Sequence, residues 1–202
     1  HHHLSCNYFT FMMRCNIQFT CTDNTVILNS REMGSNLMEG NTMTEEIKRL
    51  RRVCFTGHRP EKLNRSEKSV LDGLETAIRQ AIADGSNVFI SGMARGVDIW
   101  AAEIVLQIRS EGEDIKLICA SPYRGFEKNW SIDWQRRYNN VIEAADLVRF
   151  ICPNYSKSCF QIRNEWMVDH SSRVIAVFNG QLGGTKNTID YAKIRAVEIC
   201  YA

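Results

Sequence analysis

From Arg52 onward, short apolar runs alternate with longer stretches in which apolar residues recur every three or four positions. The runs "RVCFTG", "NVFISG", "IKLICAS", "LVRFICP", "RVIAVFNG" and "VEICY" are β-branched or aromatic and predict six strands. Between them, helical periodicity and terminal capping residues predict helices over 66–84, 97–110, 129–145, 161–171 and 185–195. Strands apolar on both faces and separated by helices imply a parallel sheet covered on both sides by right-handed crossovers. The fold class is therefore α/β: a Rossmann-like, doubly wound, mostly parallel sheet of about six strands in a single domain.

Residues 1–42 break this pattern. They are rich in Asn, Thr and Cys, show no helical period and begin with His-His-His. They are expected to be an N-terminal extension, poorly ordered or foreign to the native domain, with a short hairpin around "DNTVIL" as their one local signal. The domain itself is expected over 43–202, with Met43 as its natural start.

The 202 residues, 44% hydrophobic and 24% charged, suit one globular unit with a substantial core. A formal net charge of +2, with Arg51-Arg52 and Arg136-Arg137 as isolated basic pairs, disfavours DNA as a partner, because strand tracking needs clustered cations interleaved with aromatics. No apolar run reaches the ~20 residues of a membrane span, so no membrane partner and a cytoplasmic location are expected. The eight cysteines form no Cys-x-x-Cys pair and lack histidines at ligand spacing. No metal and no cofactor are expected, and Cys54, Cys119, Cys152 and Cys200 read as buried reduced thiols. Nothing in the composition argues against a homo-oligomer.

In a doubly wound sheet, ligands bind outside the carboxyl ends of the strands, where the strand order reverses. In "SGMARGVDIWAAE", Ser91 and Gly92 end a strand, Gly96 precedes a helix, and Asp98 lies in its first turn. This is neither a dinucleotide fingerprint nor a P-loop. Asp98 compensates the helix start and opposes a phosphate there, so it fixes the loop or bonds a ribose hydroxyl. "GGTKNT" is the better phosphate site: Gly183, Gly184 and Thr185 offer amides and a hydroxyl at a helix start, Thr188 lies one turn on, and no carboxylate competes. Lys186 adds a cation or is simply solvated. "TGHRP" places Gly57, His58 and Arg59 at the crevice, where Arg59 meets a phosphate or pairs with Glu61. Arg163 and Asn164 suit a phosphate and a base or ribose, or else cap their helix beside Glu165 or Asp169. Trp130, Trp134 and Tyr138 form one helical face, which reads as core, with Trp130 alone near enough to the loop to stack on a base.

Together, "CFTGHRPEKL", "SGMARGVDIWAAE", "RNEWMVDHS" and "GGTKNT" resemble, in order and spacing, the YpsA-like branch of the SLOG superfamily. That superfamily of Rossmann-like domains includes nucleotide and ADP-ribose-type sensors, DNA-processing protein A and the cytokinin-activating phosphoribohydrolases. The resemblance implies a nucleotide-derived ligand at the loops above. The hydrolases use R-K-x-x-M and G-G-x-G-T-x-x-E motifs; here the first reads Arg163-Asn164-Glu165-Trp166-Met167, and Thr188 falls at the glutamate of the second. Without that carboxylate, N-glycosidic cleavage ranks below binding. The reading is thus a binding or sensing protein for an ADP-ribose, nucleotide or nucleotide-sugar type of molecule. An N-glycosidic hydrolase is the alternative, and a protein-interaction adaptor with a vestigial site is the next.

Overall fold

The computed structural model describes residues 21–22, 25–26 and 44–202. In the first segment, Cys21–Thr22 and Thr25–Val26 pair antiparallel, overlapping the "DNTVIL" signal. Cys6 and Cys15 lie outside the described residues.

From Thr44 the elements run α1 (Glu45–Leu50), β1 (Arg52–Gly57), α2 (Glu67–Ala83), β2 (Val88–Ser91), α3 (Val97–Ser110), β3 (Lys116–Ser121), α4 (Ile132–Ala144), β4 (Leu147–Phe150), α5 (Cys159–Asp169), β5 (Arg173–Val177), α6 (Gly184–Ile194) and β6 (Glu198–Tyr201). The six strands are all parallel, in the order β4-β3-β2-β1-β5-β6. This is the Rossmann-like sheet that the sequence predicts. Helix α1 was not foreseen: it has six residues, none of them buried, and it is capped by Thr44, whose side chain accepts from the Ile47 amide at 3.4 Å.

The chain winds from β1 out to β4, returns to the far side of β1, and continues to β6. The two legs cover opposite faces. Alternation along β1 sends Val53 and Phe55 to one face and Cys54 to the other. The first face packs Leu74 and Ile78 of α2, Trp100 and Ile108 of α3, and Tyr138 of α4. The second packs Met167 and Val168 of α5 with Ile189 and Ala192 of α6. Each fully buried Leu, Ile, Phe or Met contributes about 1.5–3 kcal/mol, so this two-sided core supplies the main stabilisation.

The aromatic face of α4 is core, as read. Trp134 packs on Trp100 with centroids 6.1 Å apart, and Tyr138 donates its hydroxyl to Ser121 Oγ at 2.8 Å. Helix α4 starts at Ile132, later than its periodicity suggests, because 125–130 close turns that seat Trp130 edge-on to Phe126 and Tyr138. Cys54, Cys119 and Cys152 are buried free thiols and Cys200 is half-buried. Among the described residues, no helix is long and apolar enough to cross a membrane.

Candidate functional site

Strands β1 and β5 are neighbours in the sheet but lead to helices on opposite faces, so their carboxyl ends diverge. A cavity of about 340 Å³ opens there, at the topological switch point. One wall is Gly57, His58 and Arg59 after β1; the opposite wall is Gly183, Gly184 and Thr185 at the start of α6. Asp98 of α3 and Arg163 and Asn164 of α5 close its base.

Glycines let these loops approach. A Cβ on Gly57 would lie 2.5 Å from the Val97 side chain, so β1 ends directly against the start of α3. Gly96 has φ +90°, and a Cβ there would meet the His58 carbonyl oxygen at 2.9 Å. The β2 loop is further fixed by Ser91, which donates to the Asp98 carbonyl at 2.8 Å and accepts from the Met93 amide at 3.2 Å. Met93 itself adopts φ 63°.

Asp98 and Arg163 form a buried pair. Asp98 Oδ2 accepts from the Ala94 amide at 3.3 Å and lies 3.7 Å from Arg163 Nη1. Nη1 also donates to the Gly92 carbonyl, and Arg163 Nε donates to Asn164 Oδ1 at 2.8 Å. Burial pushes the Asp98 carboxyl above its ordinary range, while the facing guanidinium and the Ala94 amide pull it back. Burial likewise lowers the Arg163 guanidinium, and the Asp98 charge opposes that shift. The arginine's local alternatives, Glu165 and Asp169, are not its partners; Asp169 pairs instead with Arg195 at 2.8 Å.

The sequence-derived residues thus separate into two groups. Gly57, His58, Arg59, Asp98, Arg163, Asn164, Gly183, Gly184 and Thr185 converge on the cavity. Ser91, Gly92, Gly96 and Thr188 stand behind it and shape its walls. Thr188 is fully buried and donates to the Gly184 carbonyl at 2.8 Å. Lys186 folds onto Asp190 at 2.6 Å, away from the role of a free cation.

The start of α6 gives the cavity its polarity, and His58 borders it. Helix α6 follows its N-cap Gly183 with no side-chain cap and no acid in its first turn, and Gly183, Gly184 and Thr185 border the opening, so its free amides and positive dipole end lie there. Across from it, His58 is 6% exposed, stacks on Phe178 at 5.8 Å, and holds Nε2 buried with no hydrogen-bond partner. Burial first, and the Lys62 charge second, lower its pKa. Arg59 is exposed and makes no ion pair among the described residues; Glu61 pairs with Arg95 at 3.1 Å instead.

Phe126 and Phe160 also line the cavity, with ring centroids 5.5 Å apart, and the sequence reading missed both. Their position in loops after β3 and at the start of α5 was the available signal. Trp130, the aromatic singled out from the sequence, braces Phe126 from behind at 4.9 Å. The arrangement offers donors for an anion at one end and flat apolar rings at the other.

This fold and crevice define a Rossmann-like SLOG domain. Residues 53–199 match the YpsA family model, the YspA SLOG family, and the chain belongs to that family. It is 35% identical over 117 residues to the uncharacterized SPbeta prophage-derived protein YoqJ of Bacillus subtilis (strain 168), covering 52% of this chain and 68% of that protein. A UPF0398 protein of Bacillus thuringiensis (strain Al Hakam) is 28% identical over 156 residues, covering 73% of this chain and 84% of the relative. Among solved structures, DNA processing protein A from Helicobacter pylori, described for its single-stranded DNA binding mode, superposes with a TM-score of 0.54 at 20% identity. That alignment covers 78% of this chain and 66% of the other, and the shared feature is the fold.

Proposed function

We propose that the crevice binds a nucleotide-derived small molecule of the nucleotide, ADP-ribose or nucleotide-sugar type, as a sensor or carrier. The observation that carries this reading is a single cavity at the topological switch point that joins the uncapped start of α6 with Arg59, Asn164 and the rings of Phe126 and Phe160. The phosphate lies against Gly183, Gly184 and Thr185, with Arg59 as its mobile counter-charge. Asn164, oriented by Arg163, directs its amide nitrogen toward the Gly184 turn and meets a sugar or phosphate oxygen. The base lies against Phe126 and Phe160.

Binding ranks above N-glycosidic hydrolysis, since Thr188 stands where the hydrolases carry glutamate and is sealed from the cavity. It ranks above DNA tracking as well. The cavity supplies Arg59 and Lys62 as cations outside ion pairs among the described residues, where a strand requires a longer basic path.

The test is a thermal-shift panel with AMP, ADP, NAD and ADP-ribose, followed by product analysis. At least one ligand is expected to raise Tm, with the gain reduced in Arg59→Ala. A flat panel overturns the reading, and release of free base replaces it with the hydrolase.

A further inference from the structure

A second cavity, of about 400 Å³, opens at the opposite end of the sheet, where β2, β3 and β4 begin. Four cations border it: Lys48 of α1, Arg51, Arg52 and Lys116. Its apolar lining is aliphatic, from Val88, Ile118 and Leu147.

The charge bookkeeping around it is one-sided. Arg52 is neutralised by Glu45. Asp146 also borders the cavity, but its Oδ2 already accepts from Arg109 at 2.7 Å and from the Leu117 amide at 2.8 Å. Lys48, Arg51 and Lys116 have no acidic partner among the described residues, whereas Arg79, Arg109, Arg137 and Arg173 on the same domain all do. Gathering three uncompensated cations around one hollow is unfavourable by itself, and an anion reverses the sign of that term.

The lining narrows the class of anion. No aromatic ring borders this cavity, so it lacks the stacking surface that nucleobases use. Val88, Ile118 and Leu147 instead match an aliphatic body, and Leu147 is 45% exposed. The volume falls in the small-molecule range of roughly 300–1,000 Å³. We propose that this cavity is a second ligand site, separate from the crevice, for a small amphiphilic anion with a carboxylate or phosphate head held by Lys48, Arg51 and Lys116 and an aliphatic body on Val88, Ile118 and Leu147.

The test is calorimetry and amide chemical-shift mapping on the full chain with octanoate and octyl phosphate, both below their micelle concentrations. Octanol and inorganic phosphate serve as the two half-ligands. Saturable binding of at least one amphiphile is expected, with shifts at Val88, Lys116 and Leu147; which head group binds tighter separates the carboxylate source from the phosphate source. The double variant Lys48→Glu/Lys116→Glu, on exposed or half-exposed positions, is expected to weaken binding at least about tenfold while Tm is retained. Leu147→Ser is expected to weaken the amphiphile and leave inorganic phosphate unchanged. The proposal is overturned if neither amphiphile saturates, if charge reversal leaves affinity intact, or if octanol or inorganic phosphate binds as well as the joined molecule.

Discussion

Asp98 at the start of α3 and Arg163 in α5 face each other at 3.7 Å with side chains 7% and 6% exposed. The pair ties the β2 loop to a helix on the other face of the sheet. Removing one member leaves the other buried and uncompensated, which costs about 3–5 kcal/mol. Asp98→Ala is therefore expected to lower the urea midpoint sharply, and Asp98→Asn less, because the amide oxygen still accepts from Ala94. An unchanged midpoint for Asp98→Ala would remove the pair from the list of what holds the site together.

Gly92 is the glycine this pair requires. A Cβ there would overlap Arg163 Nη1 and lie 2.7 Å from Asp98 Oδ2, and both groups belong to the buried pair. Gly92→Ala is expected to cost about 1–3 kcal/mol. Its crystal structure should show Arg163 withdrawn from the Gly92 carbonyl; a guanidinium left in place contradicts the argument.

His58 sets a pH dependence. Its folded pKa lies below the ordinary 6.5 because burial disfavours the charged ring. The unfolded chain therefore binds a proton first as pH falls, and the contribution of His58 to stability, complete above about 6.5, declines below it. Comparing urea midpoints at pH 7.5 and 5.5, wild type should lose stability relative to His58→Gln. NMR titration of the His58 ring reads the lowered pKa directly.

Arg59 and Lys186 are both basic and both near the start of α6, yet they should behave differently. Arg59 is outside any ion pair among the described residues, while Lys186 is engaged by Asp190. Hydrogen bonds to charged groups contribute about 1.5–3 kcal/mol, so Arg59→Ala should weaken ligand binding about 10- to 150-fold. Lys186→Ala should change it by less than about threefold, since that lysine holds only an exposed pair. Equal losses would relocate the phosphate.

Much of this was legible in the residues. The apolar runs that became β1 to β6 are short, β-branched and bounded by glycine or polar turns, and their parallel arrangement follows from the helices between them. The loops of the crevice were legible because Gly57, Gly96 and Gly183 mark where backbone must turn or touch. Partners were not. Local sequence suggested Glu61 for Arg59 and Glu165 or Asp169 for Arg163, but Glu61 reached Arg95 and Arg163 found Asp98. Such choices depend on which loops the sheet order brings together. Phe126 and Phe160 escaped for the same reason: neither lies in a periodic pattern, and their meeting at 5.5 Å is a product of β3 and β4 ending side by side.

The strand order has a consequence for synthesis of the chain. One wall of the crevice, Gly57 to Arg59, is laid down with the first strand, and the other, Gly183 to Thr185, with the last helix. A nascent chain that has emerged only through β4 contains the first of these walls and lacks the second. Any ligand proposed for the crevice meets both walls only once α6 has been made.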